Sequence, residues 1–348
     1  MKKTSLLAVL LCVLMITACT GQYEEDKSDY ETEETQTEVV VEETEVDDSS
    51  SAQEIQSTEA FGQSAREYLQ AIAGDIGSRE PGSDAEAETA VYIQGILEGF
   101  GYEVEVQPFT FIDEDDGEEY SSANVIATKP GDSDEVIVVG AHYDSTYEEG
   151  SMGADDNASG VAVMLEAAEQ LYDEETPYTI VFAAFGAEEY DLNGSTYYVD
   201  QMDEADLAQI INMINLDSLI AGDITYVYGT EGSDSTLEWM LQDADNMDAE
   251  LEGKFGEDLD NEDGTPCECS DYDAFVKAGI PFAYFEATNW NLSPDAMTQV
   301  DPQYGVDGEI RHTEYDTIEY LDETFPGRID EHLNLYVSLL YDLLTQYQ

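Results

Sequence analysis

The chain has 348 residues, 42% of them hydrophobic, and its 81 acidic residues against 10 basic ones give a formal net charge of −71. The hydrophobic share is large enough for a packed core, so a wholly disordered chain is excluded, and the length suits one large domain or two smaller ones. The charge excludes nucleic-acid binding and electrostatic docking onto anionic lipid headgroups, because both need clustered Lys and Arg side chains.

The first residues predict a secretory signal. Lys2 and Lys3 precede an apolar run over 5–18, which has the length of a signal-peptide core and is too short to span a bilayer. The run ends in the sequence ITAC, and small residues before a cysteine resemble the lipobox of bacterial lipoproteins. We therefore expect 1–18 to be a lipoprotein signal peptide and Cys19 to be lipidated, which would anchor the protein at the outer face of a membrane in the cell envelope. Simple cleavage before this cysteine, which would release a secreted protein, stays open.

Residues 19–59 are predicted to form an acidic, disordered tether. They consist mainly of Glu, Asp, Ser, Thr and Gln, and they show neither a helical nor a strand period. Such a segment buries too little surface to offset the entropy of ordering it, and its like charges keep it extended. Residues 60–348 are left as one folded domain. No later stretch is long and apolar enough to span a membrane, so we expect anchoring through lipid alone.

The remaining chain alternates between predicted helices and strands. Apolar residues at helical spacing predict helices over 60–73 and 85–100, with a turn between them. In chain order there follow strands over 102–111, 125–128 and 136–141, a helix over 160–171, a strand over 178–185, a helix over 194–202, a strand over 211–216, elements at 225–228 and 271–277 on either side of a helix over 235–244, a strand over 281–285 and a closing helix over 325–347. Strands separated by helices predict an α/β fold with a mostly parallel, doubly wound sheet flanked by helices.

Three of the buried strands end in polar groups that are costly to bury without a purpose. These groups are His142, Asp144, Glu188, Glu189 and Asp217, which follow the strands at 136–141, 178–185 and 211–216. Two further polar segments, 153–160 and 311–317, add Asp156 and His312. Because ligands of doubly wound sheets bind where the strands end, we expect these side chains to form one site.

The composition of this set indicates a metal centre. A cluster of carboxylates repels itself and must be neutralised by protons or by a cation. Imidazole together with several carboxylates suits zinc, and two histidines with surplus acids suit a pair of zinc ions bridged by one acid. Calcium would require more oxygen ligands and no imidazole.

Five short motifs resemble the secreted dizinc aminopeptidases, the family that includes bacterial leucyl aminopeptidases and aminopeptidase Y. They are HYDS at 142–145, GADDNASG at 153–160, AEEYDLNGS at 187–195, NLDS at 215–218 and HTEYDT at 312–317. Five matches in this order and spacing are specific, whereas a single HxD or EE pair would carry almost no information. The likeness covers roughly residues 60–348 and implies the zinc-exopeptidase architecture, which is phosphorylase/hydrolase-like.

The resemblance implies two zinc ions per chain and an enzyme that removes N-terminal residues from peptides with metal-activated water. Asp156 would bridge the two ions. Glu189 and His312 would complete the first zinc site, and His142 and Asp217 the second.

Three further features are implied or expected beside the metal ligands. The resemblance implies that Glu188 is the general base, which takes the proton of the attacking water and passes it to the departing amine. Asp144, two residues after His142, is expected to accept the second N–H of that imidazole and so fix its tautomer. The family also has a cis peptide bond after the bridging acid, here between Asp156 and Asn157.

Arg311 departs from the family, whose members can carry an apolar or aromatic pocket residue at this position. We predict that Arg311 lines the substrate pocket and pairs with a carboxylate of the substrate. An ion pair with one of the many neighbouring acids stays open as the alternative. The tyrosine that some relatives place near the reaction oxyanion is not evident, and Tyr272 and Tyr315 are both candidates for it.

Two loop features are left open by the sequence. Cys267 and Cys269 lie where some relatives carry a disulfide, and free thiols or a labile bond between them are both compatible with their spacing. The acidic stretch 257–263 is a candidate for auxiliary Ca²⁺, although acid-rich loops are usually only solvated.

Two other functions remain as alternatives. Glutaminyl cyclases share an HYDS-type strand end but use one zinc ion to cyclise N-terminal Gln. A non-catalytic binding lipoprotein of the same fold would be expected to lack metal ligands. Both histidines and the acids Asp156 and Asp217 are present here, which favours the peptidase.

Overall fold

The computed structural model describes residues 61–113, 117–230, 235–255, 269–293 and 297–348. The predicted signal peptide 1–18, the lipidation site Cys19 and the tether 19–59 lie outside these residues, as do Cys267 and the acidic stretch 257–263. Within the described ranges, no helix combines the length and the apolar character that a membrane crossing requires.

The described residues form one sheet with helices on both of its faces. The strands are β1 (Val104–Ile112), β2 (Glu119–Lys129), β3 (Ser133–His142), β4 (Tyr178–Phe185), β5 (Ile210–Leu216), β6 (Ile224–Gly229), β7 (Glu252–Phe255) and β8 (Phe282–Thr288). The helices are α1 (Gln63–Leu69), α2 (Asp84–Phe100), α3 (Ser159–Leu171), α4 (Asn193–Asp200), α5 (Glu204–Leu207), α6 (Thr236–Asn246), α7 (Tyr272–Lys277), α8 (Ile318–Thr324) and α9 (Arg328–Gln346). Wider π-helical turns cover Gln70–Ile76 and Ala154–Ala158.

The strand order is β1-β2-β4-β3-β5-β8-β6-β7. The central strands β4, β3, β5 and β8 are parallel, whereas β1 with β2, β2 with β4, and β6 with β8 pair antiparallel. The predicted α/β fold is therefore confirmed, with a mixed sheet whose parallel part lies at its centre. Parallel strands are buried on both faces, which explains why β3 and β4 are continuous apolar runs in the sequence.

Alternate residues of the central strands feed two separate cores. On β3, Ile137 and Val139 pack with α3 and α9, and Val138 packs on the opposite face with residues of α4 and α7. Each fully buried aliphatic side chain of this kind contributes about 1.5–3 kcal/mol relative to exposure. The sheet is thus clamped between two helical layers, and its strand ends are held rigidly.

The carboxyl ends of β3, β4 and β5 meet at one edge of the sheet. His142 on β3 lies opposite Phe185 on β4, and Gly140 lies opposite Asn215 on β5. The turn at Ala154–Ala158 is fastened to the same edge, because Asn157 donates its amide Nδ2 to the carbonyl oxygen of Leu216 at 2.8 Å. Topology therefore gathers three strand ends and one helix start around a single point.

Candidate metal centre

Two groups of potential ligands share Asp156. The first comprises His142, Asp156 and Asp217, and the second comprises Asp156, Glu189 and His312. His142 Nε2 lies 3.1 Å from Asp156 Oδ1 and 3.5 Å from Asp217 Oδ1. His312 Nε2 lies 3.0 Å from Asp156 Oδ2 and 3.2 Å from Glu189 Oε2. Asp156 thus offers one oxygen to each group, so the structure brings all five sequence-predicted ligands together.

The ligand atoms have the spacing that zinc requires. Nitrogen and oxygen ligands about 2.0–2.2 Å from a tetrahedral zinc ion are about 3.3 Å from each other, which matches the four distances above. In the part of the chain that the structure describes, the buried atoms Nε2 of His142 and Oε1 of Glu189 have no hydrogen-bond partner. Buried polar atoms are rarely left without partners, and a cation held by the two groups would supply the missing one.

The electrostatics of the cluster also demand positive charge. Burial alone lowers the pKa of His142, yet Glu188 and Asp217 outweigh it and hold that pKa well above its ordinary value. Burial likewise opposes protonation of His312, but hydrogen bonds to Asp156 and Glu189 raise its pKa to about 11. In the absence of a cation, the carboxylates thus draw protons onto both imidazoles, which is the neutralisation that zinc would supply instead.

Glu188 lies beside the ligands without joining either group. Its Oε2 is 3.9 Å from His142 Nε2, and the potential metal groups of the described residues do not include it. Burial, the largest effect, raises the pKa of Glu188 well above its ordinary value, and the neighbouring acids Asp271, Glu189 and Asp217 add to the rise. A carboxyl group that is near the ligands and holds a proton readily has the properties of a general acid–base group.

Asp144 positions the two glutamates rather than the imidazole. Its Oδ1 accepts the backbone N–H of Glu188 and its Oδ2 accepts that of Glu189, both at 3.0 Å. The expected hydrogen bond from His142 is not formed, because Nδ1 lies 3.6 Å from Asp144 Oδ1. Asp144 therefore fixes the turn that carries the proposed base and one ligand, and it lies close enough to His142 to act on it electrostatically.

A buried network that the sequence did not indicate supports the His312 loop. Asp155 accepts the amides of Ile220 and Ala221 at 2.7 and 2.9 Å. It also accepts Gln299 Nε2 at 2.6 Å, and Gln299 Oε1 in turn accepts the backbone N–H of Arg311 at 2.8 Å. No pattern in the sequence singles out Gln299, because an isolated glutamine in a loop has no distinguishing period.

Asp316 ties the same loop to the bridging acid. Its carboxylate accepts the backbone N–H of Asp155 at 2.6 Å and that of Asp156 at 3.2 Å. The peptide bond between Asp156 and Asn157 is cis, as the sequence predicted. Asp316 belongs to the HTEYDT motif, so the motif marks a support as well as the ligand His312.

The metal groups open into a cavity of about 290 Å³, which we call the acidic cavity. It is lined by Asp156, Glu188, Glu189, Asp217, Cys269, Tyr284, Glu286, Met297, Arg311 and His312. Arg311 lies in its wall, and its Nη2 forms an ion pair with Glu286 Oε1 at 2.7 Å. The structure therefore contains the alternative arrangement, in which Arg311 pairs with a neighbouring acid.

The remaining sequence candidates near the cavity have clear positions. Cys269 is disulfide-bonded, and its partner lies outside the described residues. Tyr272 stacks on Phe282 with ring centroids 4.4 Å apart, and Tyr315 packs against Tyr320. Neither of the two candidates lines the acidic cavity; Tyr284 of β8 does, and the sequence did not single it out.

Comparison with known proteins decides which family this centre represents. The chain matches peptidase family M28 over residues 124–337, which is more than half of its length and includes every residue of the two metal groups. The chain belongs to peptidase family M28. The predicted class of enzyme, a hydrolase of peptides, is thereby confirmed.

Named relatives of this M28 peptidase agree with that membership. The chain is 28% identical to the alkaline phosphatase isozyme conversion protein of Escherichia coli, over 82% of this chain and 90% of that protein. It is 30% identical to a probable lipoprotein aminopeptidase of Mycobacterium tuberculosis, over 74% of this chain but only 54% of that protein. The chain thus spans about half the length of the second relative.

Solved structures similar to the M28 peptidase share its fold. A zinc aminopeptidase from Bacillus subtilis superposes with a TM-score of 0.63 and 19% identity, over 82% of this chain and 96% of that one. A glutaminyl cyclase from Porphyromonas gingivalis gives a TM-score of 0.62 and 21% identity, over 81% and 98%. At these identities the likeness establishes the fold alone. The family together with the ligand set of imidazoles and carboxylates supports zinc as the metal.

Proposed function

We propose that this M28 peptidase is an aminopeptidase that works with two zinc ions. The observation that carries the proposal is the position of Asp156, whose two carboxylate oxygens lie 3.1 and 3.0 Å from the Nε2 atoms of His142 and His312. Asp217 would complete one site and Glu189 the other. An arrangement with only one zinc ion would leave one of these two histidine–carboxylate groups without a function.

The cavity supports an exopeptidase rather than an endopeptidase. Its volume of about 290 Å³ lies at the lower limit of ligand pockets, which suits one terminal residue better than an extended chain. The side chain of His312 is 44% exposed, so this side of the centre is open to an entering peptide.

The residues of the chain have distinct roles in the proposed reaction. When bound, the two zinc ions lower the pKa of water and polarise the peptide carbonyl. Glu188 takes the proton of the attacking water and delivers it to the departing amine, a role that suits a carboxyl group beside the metal ligands that is not itself one of them. Asp144 holds the turn of Glu188 through the backbone, so the base is in place before substrate binds.

Cleavage of a free and a blocked substrate by the zinc-loaded chain tests this proposal. We expect hydrolysis of leucine p-nitroanilide and none of its N-acetyl derivative, because acetylation removes the free terminal amine that the metal centre would hold. Equal cleavage of both compounds would contradict an aminopeptidase. Cleavage of neither, with two zinc ions bound, would contradict peptidase activity on single residues.

A glutaminyl cyclase is the second candidate, because such enzymes are among the structures with this fold. It would convert N-terminal Gln to a cyclic product with release of ammonia. Incubation of a Gln-peptide followed by ammonia and amino-acid analysis separates the two reactions. We expect free Gln without ammonia, and ammonia without free Gln would favour the cyclase.

We further propose that the protein is anchored in the cell envelope through lipid on Cys19. The ITAC sequence after an apolar signal core supports this proposal. Mass spectrometry of the N-terminal peptide from the native host is expected to find Cys19 acylated and residues 1–18 removed. An unmodified terminus at Cys19 would instead indicate a secreted protein.

We also propose that Ca²⁺ stabilises the loop 257–263, where several carboxylates occur in one short stretch. The expected result is a higher melting temperature with millimolar Ca²⁺ than with Mg²⁺ at the same ionic strength. An equal rise with both ions would reflect only screening of the net charge, and no rise would remove the site.

A further inference from the structure

The wall of the acidic cavity contains a buried ion pair beside the metal groups. Arg311 and Glu286 are joined at 2.7 Å, and their side chains are 9% and 2% exposed. Both residues line the cavity, so a bound side chain meets both charges of the pair. Neither residue belongs to the metal groups, and the proposed reaction does not use either of them.

The partner of Arg311 is itself held on its second oxygen. Glu286 Oε2 accepts the hydroxyl of Tyr228 at 2.6 Å, and Tyr228 accepts Nε1 of Trp290 at 2.6 Å. Gln299 Oε1 accepts the backbone N–H of Arg311 at 2.8 Å. The pair is therefore fixed from both sides and cannot turn to follow a ligand without loss of these bonds.

Among the described residues of the cavity wall, the charges balance only when both the metal ions and Arg311 are present. Five carboxylates of these residues, from Asp156, Glu188, Glu189, Asp217 and Glu286, stand against the permanent cation of Arg311. Two divalent ions and the guanidinium would bring the sum to zero. Burial opposes ionisation of Arg311, but the nearby Glu286 holds its pKa well above the ordinary value, so the guanidinium stays charged.

A charged substrate side chain would meet a like charge in this wall. An acidic side chain that approaches Arg311 also approaches Glu286, and a basic side chain that approaches Glu286 also approaches Arg311. To gain either attraction, the substrate must separate a buried pair, which leaves one charge without its partner. A neutral side chain meets a wall without net charge and pays no such cost. Specificity of this kind arises from what the site repels.

We infer that the Glu286–Arg311 pair is the specificity determinant of this peptidase and restricts the N-terminal residue of the substrate to neutral side chains. This inference rests on the proposed aminopeptidase function. Tyr284 lies in the same wall, and burial together with Glu286 and Asp217 raises its pKa well above the ordinary value. Its hydroxyl therefore keeps its proton and can donate to a neutral acceptor such as an amide, a thioether or water.

Isosteric pairs of substrates test the inference on the full chain loaded with zinc. Glutamine and glutamate p-nitroanilides differ in one charge at constant shape, and norleucine and lysine p-nitroanilides differ mainly in a terminal ammonium. The wild-type kcat/KM is expected to favour the neutral member of each pair by about tenfold or more. Ratios within about threefold in the wild type would overturn the inference.

Variants of the pair should shift the two ratios in opposite directions. Glu286→Gln keeps the shape and the acceptor for Tyr228 but removes the negative charge beside the guanidinium, so hydrolysis of the glutamate substrate should rise relative to glutamine by about tenfold. Arg311→Met frees the carboxylate, so the lysine substrate should gain relative to norleucine. Arg311→Lys keeps the charge and is the matched control, which should leave both preferences as in the wild type. Unchanged ratios in Glu286→Gln would overturn the inference even if Arg311→Met does not fold.

A binding measurement separates this inference from the proposed function. In the zinc-loaded Glu188→Gln chain, dissociation constants of Gln-Ala and Glu-Ala dipeptides report the preference without turnover. Weaker binding of Glu-Ala, reversed by Glu286→Gln, supports the pair even if the wild type shows no hydrolysis of any anilide. Equal affinities for both dipeptides would overturn the pair's role, whereas hydrolysis of the anilides by the wild-type chain would still support the peptidase.

Discussion

Nε2 of His312 lies 3.0 Å from Oδ2 of Asp156, although the two residues are far apart in the chain. The loop of His312 is tied to the segment of Asp156 by Asp316, which accepts the backbone N–H groups of Asp155 and Asp156. Hydrogen bonds from backbone N–H groups to a buried carboxylate thus hold the two residues together. The ligands would therefore be in place before a metal ion binds.

Removal of the shared ligand should affect both metal sites. Asp156→Asn is expected to weaken the binding of both zinc ions. Loss of a group that only supports a metal ligand lowers metal affinity by about 10- to 100-fold, and loss of the shared ligand should lower it further. His312→Gln should weaken only one of the two ions, because His142 and Asp217 are untouched. Zinc titration with a competing chelator measures both. Loss of a single ion in Asp156→Asn would show that this acid does not bridge.

Glu188→Gln should abolish catalysis and spare the metal. Because the amide cannot take up a proton, we expect kcat to fall by about 10²- to 10⁴-fold while the zinc content is unchanged. The control is Glu135→Gln, an exposed acid near the start of β3 and away from the strand end that carries His142, which should leave kcat as in the wild type. A variant Glu188→Gln that loses zinc would instead identify Glu188 as a ligand.

Gln299→Leu should loosen the His312 loop. It removes a donor to Asp155 and the acceptor of the backbone N–H groups of Ile310 and Arg311, all of them buried. The free energy of unfolding is expected to fall by roughly 1–3 kcal/mol, since buried polar groups are left without partners. Urea denaturation measures this loss. Zinc affinity should fall at the site of His312 and not at that of His142, and equal losses at both sites would contradict the positioning role.

His332 gives the folded state a pH dependence that can be isolated. The ring is packed in α9 with its Nδ1 2.9 Å from the carbonyl oxygen of Leu219. Burial, aided by Arg328 and opposed by Leu219 and Asp223, lowers its pKa from 6.5 to about 4. The imidazole is neutral in both states above pH 6.5, whereas between pH 6.5 and 4 the unfolded chain binds a proton that the folded chain does not.

Stability should therefore be lost as the pH falls through this window, by about 3 kcal/mol from His332 alone. The measurement is the difference in unfolding free energy between wild type and His332→Asn at pH 7, 6, 5 and 4. Asn keeps an N–H donor but does not titrate, and the many carboxylates cancel in the difference. A difference that is constant with pH would contradict a buried, neutral imidazole.

Much of the fold was predictable because the central strands can be recognised from the local sequence alone. The predicted strand 178–185 coincides with Tyr178–Phe185, and 136–141 lies inside Ser133–His142, since both are covered on two faces and read as unbroken apolar runs. The outer strands gave weaker signals. The first half of Glu119–Lys129 pairs with the edge strand β1 and carries polar residues, so only 125–128 was predicted.

The ends of elements depended on contacts that no local pattern reveals. Strand β8 continues to Thr288, beyond the predicted 285, because its last residues pair with β6, where Thr288 lies opposite Ile224. The closing helix begins at Arg328 instead of 325, since Gly327 adopts a φ of 90° that L-residues avoid. The short strand Glu252–Phe255 was not predicted, as two charges interrupt its apolar character.

The candidate site was also predictable only where its residues belong to local sequence patterns. Motifs located the residues of both metal groups, because these follow strand ends and helix starts whose positions the sequence indicates. The sequence left open an ion pair of Arg311 with a neighbouring acid but did not identify Glu286, and it gave no indication of the Asp155–Gln299 link. Each joins loops or strands that are distant in sequence, and pairing of that kind is decided by packing and not by any period.

The metal content of active material tests the central claim most directly. Apo-protein titrated with zinc should gain hydrolysis of leucine p-nitroanilide as zinc binds and reach full activity at two zinc ions per chain, with both ions weakened in Asp156→Asn. Full activity in material that elemental analysis shows to be free of transition metal, or a maximum at a single ion, would contradict the two-zinc centre.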